Sequence, residues 1–307
     1  MRILVTGGAG FIGSHITDLL IKDGHAVTVL DNLSGGHKDQ INPKAKLIVG
    51  DIGNSQKTKE ALKGIDCVIH AAGLIIVPES VADPIKYCDN NVLGTVNLLQ
   101  TMKDSGVKKI IFSSSACVYG TPDHLPIKED APLRPDNPYG ATKASIEAFL
   151  QAFNANHNFD VTILRYFNPY GPGELHQPET HAIPNFIKAA LVKKPIPLYW
   201  QGEQIRDFIY IDDLAQAHVD VLQLSNFNIF NLGTETGVKV RDVIDLIFEI
   251  VGYEVPINDL GERPGDVHAN YASSEKLQKS VNWQPKVDLK EGLKKTIDYY
   301  KNLPVSI

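Results

Sequence analysis

The chain has 307 residues, of which 43% are apolar and 21% are charged, and its formal net charge is −6. This length and balance are typical of a globular protein with a sizeable core, and the negative charge argues against nucleic acid or an anionic membrane as the main partner. The three cysteines form no CxxC pair and no apolar run approaches the ~20 residues of a membrane span, so we expect a soluble, cytoplasmic protein with reduced thiols.

Short apolar runs alternate with amphipathic segments through the first half of the chain. The runs are rich in Val, Ile and Leu and are predicted to be buried strands at residues 2–6, 26–30, 46–49, 67–70, 109–113 and 161–165. Helical patterns lie between them at residues 11–22, 56–62, 84–105 and 138–157. Strict alternation predicts parallel strands joined by right-handed crossovers. The predicted fold class is therefore α/β, with a doubly wound parallel sheet of the Rossmann type.

The pattern changes after residue 167. A loop rich in Pro and Gly is followed by two short strand-like runs and by helical patterns near residues 185–193, 212–223, 241–251, 273–279 and 290–302. This second part predicts a smaller, mixed α/β lobe at the C-terminal edge of the sheet. We predict that residues 1–167, with roughly 207–233, form the Rossmann domain, and that residues 168–206 and 234–307 form the second lobe.

A glycine-rich segment joins the first predicted strand to the first predicted helix. Gly7 permits a tight turn, Gly10 lets the backbone approach a pyrophosphate, and Gly13 lets the helix pack closely. The amides of Phe11 and Ile12 would then face the phosphates from the helix N-terminus. These glycines could serve only as a turn, but their place at the first strand-to-helix junction predicts a dinucleotide site.

Acidic residues follow the second and third predicted strands. Asp31 comes 18 residues after Gly13, where a carboxylate accepts hydrogen bonds from both ribose hydroxyls and repels a 2′-phosphate, which predicts NAD rather than NADP. The alternative for Asp31 is a loop-capping role. Asp51 and Ile52 are candidates for the adenine end, although a turn also explains Asp51, and Asn32 completes this group of cofactor candidates.

A tyrosine and a lysine stand four residues apart at the start of the helix predicted at residues 138–157. The i, i+4 spacing of Tyr139 and Lys143 puts both side chains on one face. Beside a nicotinium ring, the Lys143 ammonium would lower the phenol pKa of Tyr139 from about 10 toward the working range of a general base. Ser115 closes the fifth predicted strand 24 residues earlier, at the sheet edge where ligands bind. This pattern predicts hydride-transfer chemistry.

Together the motifs TGGAGFIG, SSSACVYG and YGATK, with Asp31, resemble the extended short-chain dehydrogenase/reductase family, in its NAD-dependent epimerase/dehydratase group. The resemblance covers essentially the whole chain, and the segments at residues 70–81, 90–95, 165–169 and 173–184 are similar to UDP-glucose 4-epimerases in particular. It implies that Ser115 contacts the sugar hydroxyl, Tyr139 is the acid/base and Lys143 holds the nicotinamide ribose. It also implies that the second lobe binds a nucleotide sugar.

The resemblance implies further contacts with each ligand. Cofactor contacts are expected from Ala71, Ala72, Gly73, Asn90, Ser113 and Tyr166. Substrate contacts are expected from Asn168, Asn185, Arg206, Arg263, Asp266 and Asn270. A local surface pair with Asp207 is the alternative for Arg206, and a simple turn is the alternative for Arg263. Ile75 departs from the family, which often has a Lys there in contact with the NAD phosphates.

The expected reaction is inversion at C4 of a UDP-hexose through a 4-keto sugar, on NAD that stays bound. Ala116 and Cys117 stand where the family's dehydratases have an Asp-Glu pair, and Gly173 stands where uronic-acid enzymes often have an Arg. Asn270 follows Arg263 by seven residues, where a bulky Tyr in UDP-glucose 4-epimerases excludes N-acetyl sugars. We therefore expect UDP-glucose and UDP-galactose as substrates, and hypothesise that UDP-GlcNAc and UDP-GalNAc are accepted too.

Other functions stay open from sequence. They are a different nucleotide-sugar epimerase, such as a heptose 6-epimerase, a net NAD-dependent oxidoreductase, and a non-catalytic dinucleotide sensor. Heptose 6-epimerases usually bind NADP, and Asp31 disfavours NADP. We expect no metal, because no Cys or carboxylate cluster accompanies His176 and His181 at ligand spacing. The resemblance implies a homodimer whose interface is built from the helices at residues 84–105 and 138–157.

Overall fold

Seven parallel strands form the central sheet of the protein, whose computed structural model describes residues 1–175, 181–262 and 267–303. The strands of the described chain are β1 (Arg2–Thr6), β2 (Ala26–Asp31), β3 (Lys46–Val49), β4 (Cys67–His70), β5 (Lys109–Ser115), β6 (Asp160–Tyr166), β7 (Asn168–Tyr170), β8 (Ile196–Leu198), β9 (Ile205–Arg206), β10 (Phe208–Tyr210), β11 (Phe227–Leu232), β12 (Val238–Lys239), β13 (Ile257–Asp259) and β14 (Ala269–Asn270). The sheet order is β11-β6-β5-β4-β1-β2-β3, and all its pairings are parallel. The predicted doubly wound fold class is confirmed.

Helices follow most strands and cover both faces of the sheet. They are α1 (Phe11–Lys22), α2 (Ser55–Ala61), α3 (Val77–Ala82), α4 (Pro84–Tyr87), α5 (Gly94–Asp104), α6 (Pro138–His157), α7 (Ala182–Leu191), α8 (Ile211–Asp220), α9 (Val240–Val251), α10 (Glu275–Val281) and α11 (Leu289–Lys301). Local signals explain where they start and stop. Asn137 caps α6 by accepting the Gly140 amide, Pro138 occupies its first turn, and Asn158 ends it in the left-handed conformation.

The sheet is buried on both faces because its strands place apolar side chains alternately above and below it. In β1, Ile3 and Val5 belong to one hydrophobic cluster, whereas Leu4 belongs to the cluster on the opposite face. The first cluster extends into the C-terminal part of the chain, where Ile247 and Trp283 are buried in it. One face of the sheet therefore shares its core with the smaller lobe.

Two elements differ from the sequence-based prediction. The helix predicted at residues 84–105 is interrupted by a π-helical segment, Cys88–Leu93, between α4 and α5. The seventh strand, β11, was not predicted as a strand, because Asn228 and Asn231 break its apolar run; it pairs with β6 as an edge strand. The π-helical interruption matters for the site, since such segments reorient the side chains they carry.

Small sheets build the C-terminal lobe. β7 pairs with β10, β8 with β13, and β9 lies between β12 and β14. β9 immediately precedes β10, so this ribbon lies near the carboxyl edge of the main sheet, where β6 passes into β7. Within the described ranges, no helix is both long enough and apolar enough to span a membrane.

Candidate active site

The glycine-rich turn after β1 has the geometry that its sequence predicts. Gly7 has a φ of +72°, and a Cβ there would lie 2.7 Å from the Cα of Ala72. A Cβ on Gly13 would lie 2.2 Å from the Gly7 carbonyl oxygen, so α1 packs directly onto the turn. Gly10 is different, because its added Cβ would come no closer than 3.4 Å to that oxygen. Packing within the protein therefore explains Gly7 and Gly13, whereas an added Cβ at Gly10 would contact only this one oxygen.

The N-terminus of α1 and the end of β2 flank this turn. No side chain caps α1 at Gly10, and its first turn has no acidic residue, so the amides of Phe11 and Ile12 face outward beside the turn. Asp31 is buried, and its two carboxylate oxygens accept hydrogen bonds from the amides of Ala9 (2.9 Å) and Leu33 (2.8 Å). Asp31 thus caps the loop, and each oxygen keeps a further lone pair for another donor.

The residues predicted at the adenine end form a turn after β3. Asn32 donates to Asp51 (2.7 Å), whose other oxygen accepts the Gly53 amide (2.7 Å). Ile52 is buried and packs against Gly94 at the start of α5. Asp51 therefore forms a turn, and the hydrogen bond from Asn32 ties Asp51 to the loop that follows Asp31.

The loop after β4 is held in place by Asn91, a residue that the sequence analysis did not single out. Asn91 accepts the Leu74 amide (2.8 Å), donates to the Leu74 carbonyl (3.0 Å) and donates to the Thr142 hydroxyl (3.2 Å). It lies in the π-helical segment, where it is buried, whereas the predicted Asn90 is partly exposed. The adjacent pair of asparagines was the available signal, but only the fold shows which one turns inward.

Tyr139 and Lys143 lie one turn apart on the buried face of α6. The Tyr139 amide donates to the Ser80 hydroxyl (3.1 Å), and Lys143 donates to the Ser113 carbonyl (2.8 Å). A Cβ on Gly140 would lie 2.4 Å from the Cys117 carbonyl oxygen, so this glycine brings the start of α6 against the turn that follows Ser115. The predicted Ser115, Tyr139 and Lys143 are therefore brought together.

Burial acts in opposite directions on the two titratable groups of this cluster. It raises the pKa of the Tyr139 phenol, and a hydrogen bond with Ser115 works against that rise. It lowers the pKa of Lys143 to about 8, with Glu147 acting in the opposite direction. Lys143 lies 5.8 Å from the centre of the Tyr139 ring. The protein alone therefore keeps Tyr139 protonated, in contrast to the lowered phenol pKa that the sequence predicts beside a nicotinium ring.

The three serines at the end of β5 have different hydrogen-bond partners. Ser114 lies on the opposite face of the strand from Ser113 and Ser115, because side chains alternate between the two faces. The Ser113 hydroxyl lies 2.6 Å from the Tyr166 hydroxyl, which also lies 2.6 Å from Nε2 of His218. Ser114 points to the other face and donates to Glu147 (2.5 Å). Ser115 accepts the Cys117 amide (3.2 Å). Tyr166, predicted to contact the cofactor, thus already engages its hydroxyl inside the protein.

Loop and strand residues carry the predicted cofactor contacts that remain. Ala71 and Ala72 lie against Gly7, and a Cβ on Gly73 would lie 3.3 Å from Asn91 and 3.8 Å from the Lys143 nitrogen. This loop therefore connects the glycine-rich turn to Tyr139 and Lys143, the predicted catalytic residues on α6.

Three of the six predicted substrate residues lie on the small strands of the second lobe, namely Asn168, Arg206 and Asn270. Asn168 donates to the Asp207 carbonyl (2.9 Å), and Arg206 pairs in register with Asn270 between β9 and β14. The charge of Arg206 reaches Cys117, two residues beyond Ser115. Asn185 lies on α7 and is half-buried. Arg263 and Asp266 lie outside the described residues.

The alternative of a surface pair between Arg206 and Asp207 does not fit the geometry. Asp207 is completely buried, and its carboxylate accepts hydrogen bonds from the Thr234 amide and hydroxyl (both 2.7 Å) and from the Ala272 amide (3.1 Å). The Arg206 guanidinium instead donates from Nη1 to the carbonyls of Ile205 (2.9 Å) and His268 (3.4 Å). The Asp207 carboxylate is therefore engaged by Thr234 and Ala272, and it anchors the end of β9 there.

A dinucleotide-type turn and a Tyr/Lys pair at one edge of a parallel sheet define an α/β protein of the Rossmann class. A family model for the NAD dependent epimerase/dehydratase family matches residues 3–233. A UDP-glucose 4-epimerase of Lactobacillus helveticus is 39% identical over 305 residues, covering 93% of this chain and 92% of that protein. The chain belongs to the NAD dependent epimerase/dehydratase family, as its motifs predict.

Solved structures agree over the whole chain. A UDP-glucose 4-epimerase from Bifidobacterium longum, in complex with NAD+ and UDP, has a TM-score of 0.94 and 35% identity, with 100% of both chains covered. A UDP-N-acetylglucosamine 4-epimerase from Methanobrevibacter ruminantium, in complex with UDP-N-acetylmuramic acid, has a TM-score of 0.93 and 35% identity, with 98% of both chains covered.

Proposed function

We propose that the protein is an NAD-dependent epimerase that inverts C4 of a UDP-hexose through a 4-keto intermediate. The observation that carries this proposal is the convergence of Ser115, Tyr139 and Lys143 at the carboxyl edge of the sheet, beside the glycine-rich turn. The substrate class comes from similar proteins, whose names state UDP-glucose or UDP-N-acetylglucosamine 4-epimerase and whose length this chain matches.

The residues around the glycine-rich turn fit NAD. Gly10 leaves room that a Cβ would fill, and the uncapped amides of α1 suit an anionic pyrophosphate. Asp31 would hold the adenosine ribose, and the turn of Asp51 and Ile52 would lie at the adenine end. We place the nicotinamide half beside Ala71, Ala72, Gly73, Asn90, Ser113, Lys143 and Tyr166. When bound there, NAD would supply the hydride-transfer chemistry at the sugar C4.

Tyr139 moves the proton in both directions of this reaction. Its phenolate oxygen takes the proton of the sugar 4-hydroxyl, the resulting phenol later returns that proton, and Ser115 hydrogen bonds with the same oxygen. Because burial opposes the phenolate, a positive charge has to stabilise it. Lys143, whose pKa is about 8, is still mostly protonated at pH 7 and supplies that charge.

The residues after Ser115 favour epimerisation over elimination. A dehydratase needs a second acid/base pair, and here the corresponding positions hold Ala116 and Cys117. Burial raises the pKa of the Cys117 thiol, so it does not act as a base near neutral pH. Reduction of the 4-keto sugar by return of the hydride is therefore the step that we expect to follow.

The second lobe supplies the groups for the nucleotide sugar. We infer that Arg206 binds the diphosphate, since a guanidinium suits phosphate oxygens. Asn168 contacts the Asp207 carbonyl next to it, and we expect Asn185, Arg263 and Asp266 to join it. On this basis residues 1–167 with roughly 207–233 bind NAD, and residues 168–206 and 234–307 bind the sugar nucleotide.

The test is conversion of UDP-galactose to UDP-glucose by the purified protein without added cofactor. We expect turnover on retained NAD, loss of turnover in Tyr139→Phe, and normal turnover in Tyr253→Phe, a tyrosine outside the site that donates to the Ala190 carbonyl. Accumulation of NADH in step with turnover would indicate a net oxidoreductase. No conversion of any UDP-hexose with NAD supplied would reject the proposal.

Asn270 bears on whether N-acetyl sugars are accepted. Its side chain is half-buried on β14 beside Arg206, and its amide oxygen has no hydrogen-bond partner within the described structure. We propose that the room left by Asn270 admits a 2-acetamido group. Asn270→Tyr should abolish conversion of UDP-GlcNAc and retain that of UDP-galactose, and a wild-type protein inactive on UDP-GlcNAc would contradict the idea.

We also propose a homodimer. Large apolar side chains are exposed on α3, α4, the π-helical segment and α6, namely Val81, Ile85, Leu93 and Phe149. Ile85 is 72% exposed, so Ile85→Glu costs an isolated chain little and opposes burial at an interface. Light scattering should report a dimer for the wild type and a monomer for Ile85→Glu, and a monomeric wild type would reject the proposal.

A further inference from the structure

A buried ion pair lies one helical turn beyond Lys143 and has no part in the proposed proton transfer. The side chains of Glu147 and Arg165 are 5% and 3% exposed. Arg165 donates twice, from Nε to Oε1 (3.0 Å) and from Nη2 to Oε2 (2.6 Å), in a bidentate fork. Because burying two charges costs desolvation that their attraction often only balances, stability alone is a weak reason for such a pair.

Glu147 connects α6 to β5 at the level of the proposed catalytic residues. Tyr139, Lys143 and Glu147 follow each other at intervals of four and share one face of α6. Lys143 donates to the Ser113 carbonyl (2.8 Å), and Glu147 accepts the Ser114 hydroxyl (2.5 Å). These two bonds to neighbouring residues of β5 fix the position of α6 along the strand.

Arg165 extends the connection to the segment between Ser115 and Tyr139. Its Nη1 donates to the Tyr119 hydroxyl (2.7 Å) and to the Glu129 carbonyl (3.0 Å). One guanidinium therefore holds α6 through Glu147 and also holds the chain that leads from β5 into α6.

The charges that face Lys143 make Glu147 stand out. Tyr139 and Glu147 face it from α6, Cys117 from the turn after β5, and His70 from the end of β4. Burial lowers the pKa of His70 to about 3 and raises that of Cys117, so both are uncharged near neutral pH. Of these four groups, Glu147 alone then carries a negative charge.

We propose that Glu147, held by Arg165, is a positioning residue for the Tyr139–Lys143 pair: it sets the register of α6 on β5 and keeps a negative charge beside the lysine. The inference rests on the proposed function for its kinetic consequences. It predicts that disturbing Glu147 changes the chemical step more than substrate binding.

The kinetic test compares three variants. Glu147→Gln should lower kcat for UDP-galactose by about tenfold to a hundredfold, as expected for catalytic groups misplaced by about 1 Å, with little change in KM. The alkaline limb of the pH dependence of kcat should move to lower pH in this variant, because Lys143 loses its proton more easily without Glu147. Glu147→Met/Arg165→Met removes both charges and should recover stability without recovering kcat. Asp213→Asn, a buried carboxylate that accepts the Lys286 and Val287 amides, is the matched control.

A purely structural role makes different predictions. In that case the double variant would regain kcat together with stability, or Glu147→Gln would keep the wild-type kcat per folded molecule, and either result overturns the inference. The control Asp213→Asn should lose stability and keep its kcat.

A titration without substrate separates this inference from the proposed function. Lysine side chains labelled with ¹³C at Cε would be titrated by NMR, with Lys143 assigned through Lys143→Met. We expect the pKa of Lys143 to be lower in Glu147→Gln than in the wild type. If the wild type fails to convert any UDP-hexose, the proposed function fails while this titration still tests the inference, and an unchanged pKa overturns it.

Discussion

Replacing each of two glycines by alanine should separate the demands of the fold from those of the cofactor. In Gly13→Ala, the new Cβ lies 2.2 Å from the Gly7 carbonyl oxygen and 2.8 Å from the Gly7 carbonyl carbon and Gly8 Cα. These are backbone atoms, so α1 or the turn must move by about 1 Å to reach contact distance. Overpacking of this kind costs about 1–3 kcal/mol, and we expect the upper end because no flexible side chain can yield.

Gly10→Ala is the matched variant. Its Cβ comes no nearer than 3.4 Å to the Gly7 carbonyl oxygen, and Gly10 has φ −83° and ψ 171°, which alanine adopts without strain. Loss of glycine at this helix N-cap costs about 0.5–1 kcal/mol. If the space beside Gly10 receives the NAD pyrophosphate, the methyl group should still prevent tight binding.

Urea unfolding and the NAD content of desalted protein test this pair. We expect both variants to hold less NAD, so loss of bound ligand lowers the apparent stability of both, and the difference between their unfolding free energies isolates the clash at Gly13. The reasoning is refuted if Gly10→Ala retains NAD as the wild type does, or if it unfolds as easily as Gly13→Ala.

Further predictions concern buried polar side chains around the site. Burial lowers the pKa of His218 to about 4 from its ordinary 6.5, so the unfolded chain binds a proton first as pH falls, and up to about 3 kcal/mol of stability present above pH 6.5 should be lost by pH 4. Urea unfolding at several pH values in this range should show that the free energy of unfolding depends less steeply on pH in His218→Gln than in the wild type. Asn91→Ala leaves the Leu74 amide and carbonyl unpaired and should lower the free energy of unfolding by about 2 kcal/mol, with thermal unfolding as the check. Arg206→Gln should raise KM for UDP-galactose by about tenfold to a hundredfold while kcat changes less, and an unchanged KM would remove Arg206 from the phosphate site.

The proposed catalytic cluster shows how far local patterns reach. The YxxxK spacing is enough to put Tyr139 and Lys143 on one helix face, because i and i+4 neighbour each other on any α-helix. The serine run before them is ambiguous, since three adjacent hydroxyls satisfy the same motif. The alternating faces of β5 decide that Ser113 and Ser115 face the site side and that Ser114 faces Glu147.

The amino-acid sequence by itself determined the doubly wound sheet, the glycine-rich turn and the position of the YxxxK pair, because each depends on short-range periodicity or on conformations such as the left-handed Gly7. Only the tertiary structure decided which polar side chains are buried together. Asn91 meets a loop 17 residues away, Glu147 meets Arg165 across 18 residues, and Tyr166 lies beside His218 across 52 residues. Apolar periodicity records which faces leave water, but a polar residue has the same appearance in a sequence whether it is solvated or paired inside. The π-helical segment and β11 escaped prediction for the same reason, since both have inward asparagines where the patterns call for apolar side chains.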